Sequence, residues 1–304
     1  MNATMLTKVQ AYLVHRRALG FQLKCEGQQL QNFARYADGI GHRGPLTNQL
    51  AIGWACLPEA ADRLYWARRL EIVRTFAQHL VITEPRTQVP PRHLLGPAHR
   101  RPSPHLYSLA QVQRLLRRAR KLKGQLWPHT WQTLIGLLAC TGLRISEAMH
   151  LHPNDVDWQD ALLVIRESKF GKTRLVPLHP TAITPLRAYD QRRQKQFPLA
   201  QYFFVSERGG RLAPSTVQGT FSRLRKGIPF HRRPPRLHDL RHTMASMVLQ
   251  RWLASPKGAF NRVLILSRYL GHGHVEDTYW YLTALPQLLA EAGNRIAISE
   301  HEDS

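Results

Sequence analysis

Cysteine is scarce: Cys25, Cys56 and Cys140 are the only three in 304 residues, far apart and never paired as Cys-x-x-Cys. That excludes a disulfide framework and a cysteine-built zinc site. Acid is scarce too, with 20 Asp and Glu against 43 Lys and Arg, a formal charge of +23. The excess runs through both halves of the chain. It calls for an anionic partner met across a broad folded surface, and nucleic acid, bound by releasing counterions, fits best. A ribosomal role would suit a shorter chain, and a membrane-surface role would gather the charge on one amphipathic helix. Long apolar runs are also missing. The opening MNATMLTKVQAYLVHRR holds no signal-peptide stretch, and no later segment reaches the length that spans a bilayer. No membrane partner is expected, and the expected setting is reducing, cytoplasmic and nucleoid-associated.

What is present suits a folded protein: 43% hydrophobic and 21% charged residues, in a length that favours two domains. Residues 5–82 repeat apolar positions every three or four residues in KVQAYLVHRRALG, GQQLQNFARYADG, LTNQLAIGWACL and ADRLYWARRLEIVRTFAQHL, which predicts four helices. Gly20 and Gly39 fall where helices should stop. Leu70, Val73, Ala77 and Leu80 form one stripe of the last helix, and Arg63, Arg69 and Arg74 fall off it. Residues 83–107 carry six prolines and four arginines without periodicity, which reads as an extended basic linker. Ser108 with Gln111 then forms a capping box that opens a new helix. Strand-like ALLVIRES and RLVPLH flank a turn at KFGK, more helices follow, and the closing EHEDS is an acidic tail.

Four segments of the second half each put a phosphate ligand or proton-transfer group beside a glycine or a helix start: TGLRISE, SKFGKTR, HDLRH and LGHGHVEDTYWYL. Singly each is weak, since Arg144 could simply pair with Glu147 three positions on. In HDLRH, a helix puts His238, Arg241 and His242 near one face. A zinc pair is disfavoured there, because Arg241 would set a cation beside the metal and no HExxH glutamate is present. A guanidinium that forks onto two phosphoryl oxygens, with an imidazole at hand to pass a proton, is the better reading.

In this order the four segments resemble the tyrosine recombinase family, the lambda-type integrases, in which Arg, Lys, His-x-x-Arg, His or Trp, and Tyr follow one another. The resemblance is strong over residues 105–290. It is looser in the amino-terminal part, where RRALGFQLKCEGQQLQNFARY is similar to transposon-borne members. By this resemblance the catalytic set is Arg144, Lys169, His238, Arg241, His272 and the nucleophile Tyr281. Lys172 competes with Lys169, which is preferred because it ends the first strand. Tyr279 competes with Tyr281, but two residues are about 200° of helical rotation, so only one can face the phosphate. The spacing from His272 selects Tyr281.

The resemblance implies a mainly α fold with a small antiparallel β-sheet, arranged as a two-domain DNA clamp. The expected parts are a helical core-binding, SAM-like domain (1–84), the linker (85–107), a catalytic domain (108–295) and the acidic tail (296–304). It implies DNA cleavage and rejoining through a 3′-phosphotyrosine, for integration or excision of a mobile element, with no metal and no cofactor. Arg68, Arg69, Arg74, Arg100, Arg101, Lys172 and Arg174 are the expected DNA contacts. The expected partners are double-stranded recombination sites, three further copies of the chain in a tetramer on DNA, and accessory or partner recombinases. Two rivals are a type IB topoisomerase-like enzyme and a catalytically silent DNA-binding accessory protein.

Overall fold

The computed structural model of the chain describes residues 4–98, 103–166, 173–230, 233–253 and 259–283. Two compact units divide it, Met1–Pro102 and Ser103–Ser304. Among the described residues, no helix is long and apolar enough to cross a membrane.

The first unit is a bundle of α1 (Met5–Ala18), α2 (Lys24–Gly39), α3 (Asn48–Cys56) and α4 (Arg63–Leu80). Side-chain oxygens of Thr4, Thr47 and Asp62 cap α1, α3 and α4, taking up amide groups that a first helical turn leaves unpaired. The Asp38 carboxylate, in the last turn of α2, accepts the backbone amides of Met5 and Leu6 and so ties α1 to α2. Val9, Phe33, Trp54, Leu70, Val73, Phe76 and Ala77 fill the core, with the Phe33 and Trp54 rings edge to face at 5.4 Å. The α4 stripe read from the sequence is therefore the core-facing side.

The expected extended linker needs correction over residues 85–98. Thr87 and Pro90 are buried, and Val89 and Leu95 pack on the core of the first unit. The Gln88 amide donates to the Leu46 carbonyl, while its side-chain oxygen accepts from the Asn48 amide. Prolines without periodicity signalled irregular backbone; the apolar residues between them make it a strap on the bundle. The division between units falls at Pro102, within residues 99–102, which lie outside the described residues.

The second unit opens with α5 (Leu109–Ala119), whose capping box joins Ser108 and Gln111 reciprocally. Next come the largely buried α6 (Trp127–Thr141) and the short α7 (Ile145–Met149). The strands β1 (Val156–Asp157), β2 (Leu162–Ile165) and β3 (Arg174–Pro177) form an antiparallel sheet in the order β1-β2-β3. Val156 faces Leu163, Leu163 faces Val176 and Ile165 faces Arg174. β1 was not read from the sequence, because two residues are too few to show a period. Helices α8 (Pro180–Gln196), α9 (Pro214–Leu224), α10 (His238–Leu253), α11 (Ala259–Leu270) and α12 (Glu276–Thr283) complete the unit. A main core holds Trp131, Leu134, Leu138, Leu163, Val176, Phe203 and Phe204. A smaller one, with Met244, Leu249, Leu266 and Leu270, packs α10, α11 and α12 together and includes Tyr281.

Candidate active site

Two glycine-ended helices build the site. Helix α6 ends on Gly142, at φ +64°, where a Cβ would stand 2.6 Å from the Met244 side chain. Only glycine meets both demands without strain. The turn hands the chain to Arg144, which stands just ahead of α7. Helix α11 ends on Gly271, φ +67°, whose amide donates to the Arg268 carbonyl while the His272 amide donates to that of Ser267. That pair of bonds closes a helix in a Schellman turn and fixes where His272 projects.

The carbonyls at the end of α11 are a meeting point for arginines. Arg174 Nε donates to Tyr269 O at 2.9 Å, Arg241 Nη2 to Leu270 O at 2.7 Å, and Arg144 Nη2 to Gly271 O at 2.9 Å. The last carbonyls of a helix have no partner within it and carry the negative end of its dipole, so three guanidiniums suit them. Arg241 also donates from Nη1 to Gly142 O at 2.8 Å, which joins the ends of both helices. Glu147 supplies the counter-charge. Its Oε1 accepts Arg144 Nη1 at 2.8 Å and Arg174 Nη1 at 2.9 Å, while Oε2 accepts Arg174 Nη2 and the Arg144 amide. Burial alone would raise the Glu147 carboxyl, but its hydrogen bonds and the two guanidiniums outweigh that and hold it below its ordinary value.

Around Arg241, which is 1% exposed, stand the other groups. The Tyr281 ring, 2% exposed, lies against His272 at 5.7 Å between ring centres and 23° between planes, and at 5.3 Å from the His242 ring. Tyr281 is near enough to Arg241 to oppose the effect of burial on that guanidinium. His242 meets His238 edge to face at 4.6 Å. His238 sits at the start of α10, where the Asp239 carboxylate accepts the Arg236 amide and side chain. His272 Nδ1 is 2.6 Å from the buried Thr278 hydroxyl. Burial, and then the charge of Arg241, pushes His238 and His272 down from 6.5 to about 4. Burial and His238 push His242 to about 3. All three imidazoles are therefore neutral near pH 7.

Five of the six residues expected to be catalytic, Arg144, His238, Arg241, His272 and Tyr281, thus belong to one connected cluster. Lys169 lies outside the described residues, as do Lys172, Arg100 and Arg101. Tyr279 is half-buried against the small α10–α12 core.

The expected DNA contacts divide. Arg68 is exposed, with Nε donating to Ala98 O. Arg74 pairs with Glu71 at 3.3 Å and keeps little exposure. Arg69 and Arg174 are engaged within the protein. Arg69 is buried on the Trp54 ring, and Arg174, 11% exposed, is held by Glu147 and Tyr269 O. Among the groups not singled out as functional were Glu147, Thr278 and Asp239. Glu147 had a signal: it is the only acid in SKFGKTR and TGLRISE, which together hold two arginines and two lysines.

A helical unit with a small antiparallel sheet, and a buried tyrosine among arginines and neutral histidines, define a tyrosine recombinase. The chain belongs to the phage integrase family, whose model matches residues 108–287. It is 41% identical over 309 residues to y4rB of Sinorhizobium fredii, a candidate integrase/recombinase, with 97% of each chain covered. It is 32% identical over 234 residues to the tyrosine recombinase XerD of Rhizobium meliloti, covering 73% of this chain and 71% of that one. Its fold is similar to that of the Tn1549 transposon integrase solved with transposon right end DNA: TM-score 0.71, 16% identity, 97% of this chain and 100% of that chain.

Proposed function

We propose that the chain breaks and rejoins double-stranded DNA at specific sites through a covalent bond between Tyr281 and a 3′ phosphate, in the service of a mobile element. The observation that carries this reading is the buried Tyr281 side chain, stacked on His272 and set against His242, the neighbour of Arg241 in sequence. The Tyr281 oxygen attacks phosphorus, His238 accepts its proton, and the bond from phosphorus to the 5′ oxygen breaks. Lys169 supplies a proton to that leaving oxygen. Arg144 and Arg241 hold the non-bridging oxygens as charge builds on them. If the Thr278 hydroxyl donates to His272 Nδ1, Nε2 carries the proton and can donate to the phosphate. An arriving phosphate favours protonated imidazole, so His238 becomes a stronger base when DNA is present. The phosphotyrosine conserves the bond, and a 5′ hydroxyl from another strand reverses the step without ATP.

Strand exchange between two duplexes takes four cleavages, which favours a tetramer of this chain on DNA, with accessory proteins as further partners. The hydroxyl, guanidinium and imidazole groups gathered here argue against a silent binding module.

The test is covalent capture. A pool of randomised nicked duplexes is incubated with the protein, denatured, and the protein-linked DNA is sequenced. Wild type and Tyr279→Phe should recover one motif joined through a 3′ phosphate, and Tyr281→Phe none. Capture by Tyr281→Phe but not Tyr279→Phe would move the nucleophile to Tyr279. No capture by wild type would leave the silent reading standing.

A further inference from the structure

We propose that Arg174 is a positioning residue for strand cleavage, acting through Glu147 on Arg144 rather than on DNA. This rests on the reading above that Arg144 grips the scissile phosphate. Glu147 is shared. Arg144 takes one of its oxygens by side chain and the other by backbone, and Arg174 forks across both. Take Arg174 away, and the carboxylate loses two of four hydrogen bonds and can rotate toward Arg144 alone. Arg144 would then be drawn onto Glu147 instead of outward to a phosphate. The side-chain exposures fit this division, with 22% for Arg144, 11% for Arg174 and 6% for Glu147. Only Arg144 reaches solvent to a useful extent.

Arg174 is also fixed from the other side. Its Nε donates to Tyr269 O, and the guanidinium sits close against Gly271, where a Cβ would come within 2.9 Å of Nη1. The Gly271 carbonyl is itself an Arg144 acceptor, and His272 follows it. One side chain at the start of β3 therefore braces both supports of Arg144: its carboxylate and its carbonyl. Three directed bonds in one plane need a guanidinium; an ammonium would keep the charge but could not make them all.

The experiment uses the duplex recovered by covalent capture, with full-length Arg174→Met and Arg174→Lys, in single-turnover adduct formation at saturating protein. A second duplex carries a neutral methylphosphonate at the scissile position, which removes the charge that Arg144 neutralises. Arg174→Met should bind the phosphate duplex as wild type does and form adduct about 100-fold more slowly, the scale of an ångström-sized misplacement. Arg174→Lys should regain part of that rate. On the methylphosphonate the loss should shrink to about tenfold or less, since a misplaced Arg144 matters less there. Equal losses on both duplexes would overturn the proposal in favour of general disorder. A parallel loss of affinity would make Arg174 an ordinary DNA contact, and no loss would make it irrelevant. Should Arg174→Met melt below the assay temperature, Arg174→Lys alone decides by the same comparison. If wild type forms no adduct on any duplex, the recombinase reading itself fails, a different outcome from a reactive wild type with unaffected variants.

Discussion

The Arg69 guanidinium lies 3.8 Å from the centre of the Trp54 ring and donates to the Trp54 carbonyl at 2.7 Å, so a residue with the sequence signature of a DNA contact is part of the core. A desolvated cation over an indole, with a charged hydrogen bond, contributes on the order of 2 kcal/mol. Arg69→Ala should lower stability to denaturant by about that much and leave DNA affinity unchanged. Arg68→Ala, next in sequence but exposed, should do the reverse, lowering affinity on every sequence and the salt slope by about 1. Side-by-side denaturation and salt-titrated binding decide; loss of affinity in a fully folded Arg69→Ala would refute this.

Stability should depend on the three site imidazoles. Their folded pKa values, about 4, 3 and 4 for His238, His242 and His272, lie below the ordinary 6.5. Between those values and 6.5 the unfolded chain binds more protons than the folded one, so stability rises with pH across that window and is lost as pH falls through it. The melting temperature of the free protein should therefore drop from about pH 7 to about pH 5, and less steeply in His242→Gln. DNA binding should take up protons, read as a dependence of calorimetric heat on buffer ionisation. A pH-independent melting temperature over that range would count against buried neutral histidines.

Gly142→Ala should damage both fold and cleavage. A left-handed φ costs a non-glycine residue about 1 kcal/mol, and the new Cβ displaces the Met244 side chain. The same turn presents the carbonyl that holds Arg241. We expect a loss of about 1–3 kcal/mol in denaturation, with a fall in adduct formation larger than that of Gly136→Ala, where a Cβ meets open space. Equal adduct yields from the two variants would contradict the role given to this turn.

Cleavage should proceed in EDTA. The grouped donors are guanidiniums and imidazoles, and two carboxylates among them are held by arginines, Glu147 by Arg144 and Arg174 and Asp239 by Arg236. Adduct formation that needs added Mg²⁺ for the chemical step would point to a different phosphoryl-transfer chemistry.

Local order announced what local residues decide. The Ser108–Gln111 box, the α4 stripe and the β2–β3 pairing each rest on neighbours in sequence or on one period, and each is visible in the letters. Tyr281 could be preferred over Tyr279 because helix geometry and spacing from His272 are local as well. The burial of charge was not local. Arg69 and Arg174 read as surface because a cation is costly to bury alone, and the groups that offset that cost come from elsewhere: an indole 15 residues earlier for Arg69, a carboxylate 27 residues earlier for Arg174. The strap at 85–98 was missed for a similar reason. Its prolines hid the apolar side chains that seat it.

The arginines that meet at the end of α11 come from far up the chain: Arg144 bonds across 127 residues and Arg174 across 95. Until α11 has been synthesised and docked, Arg144 and Arg174 lack these carbonyls and Arg241 lacks one of its two. A nascent chain can fold its first unit and part of its second while holding no organised grip on phosphate. The hydrogen bonds that complete the tertiary structure are also the ones that arm it, so a chain halted before α11 has no assembled grip on a phosphate.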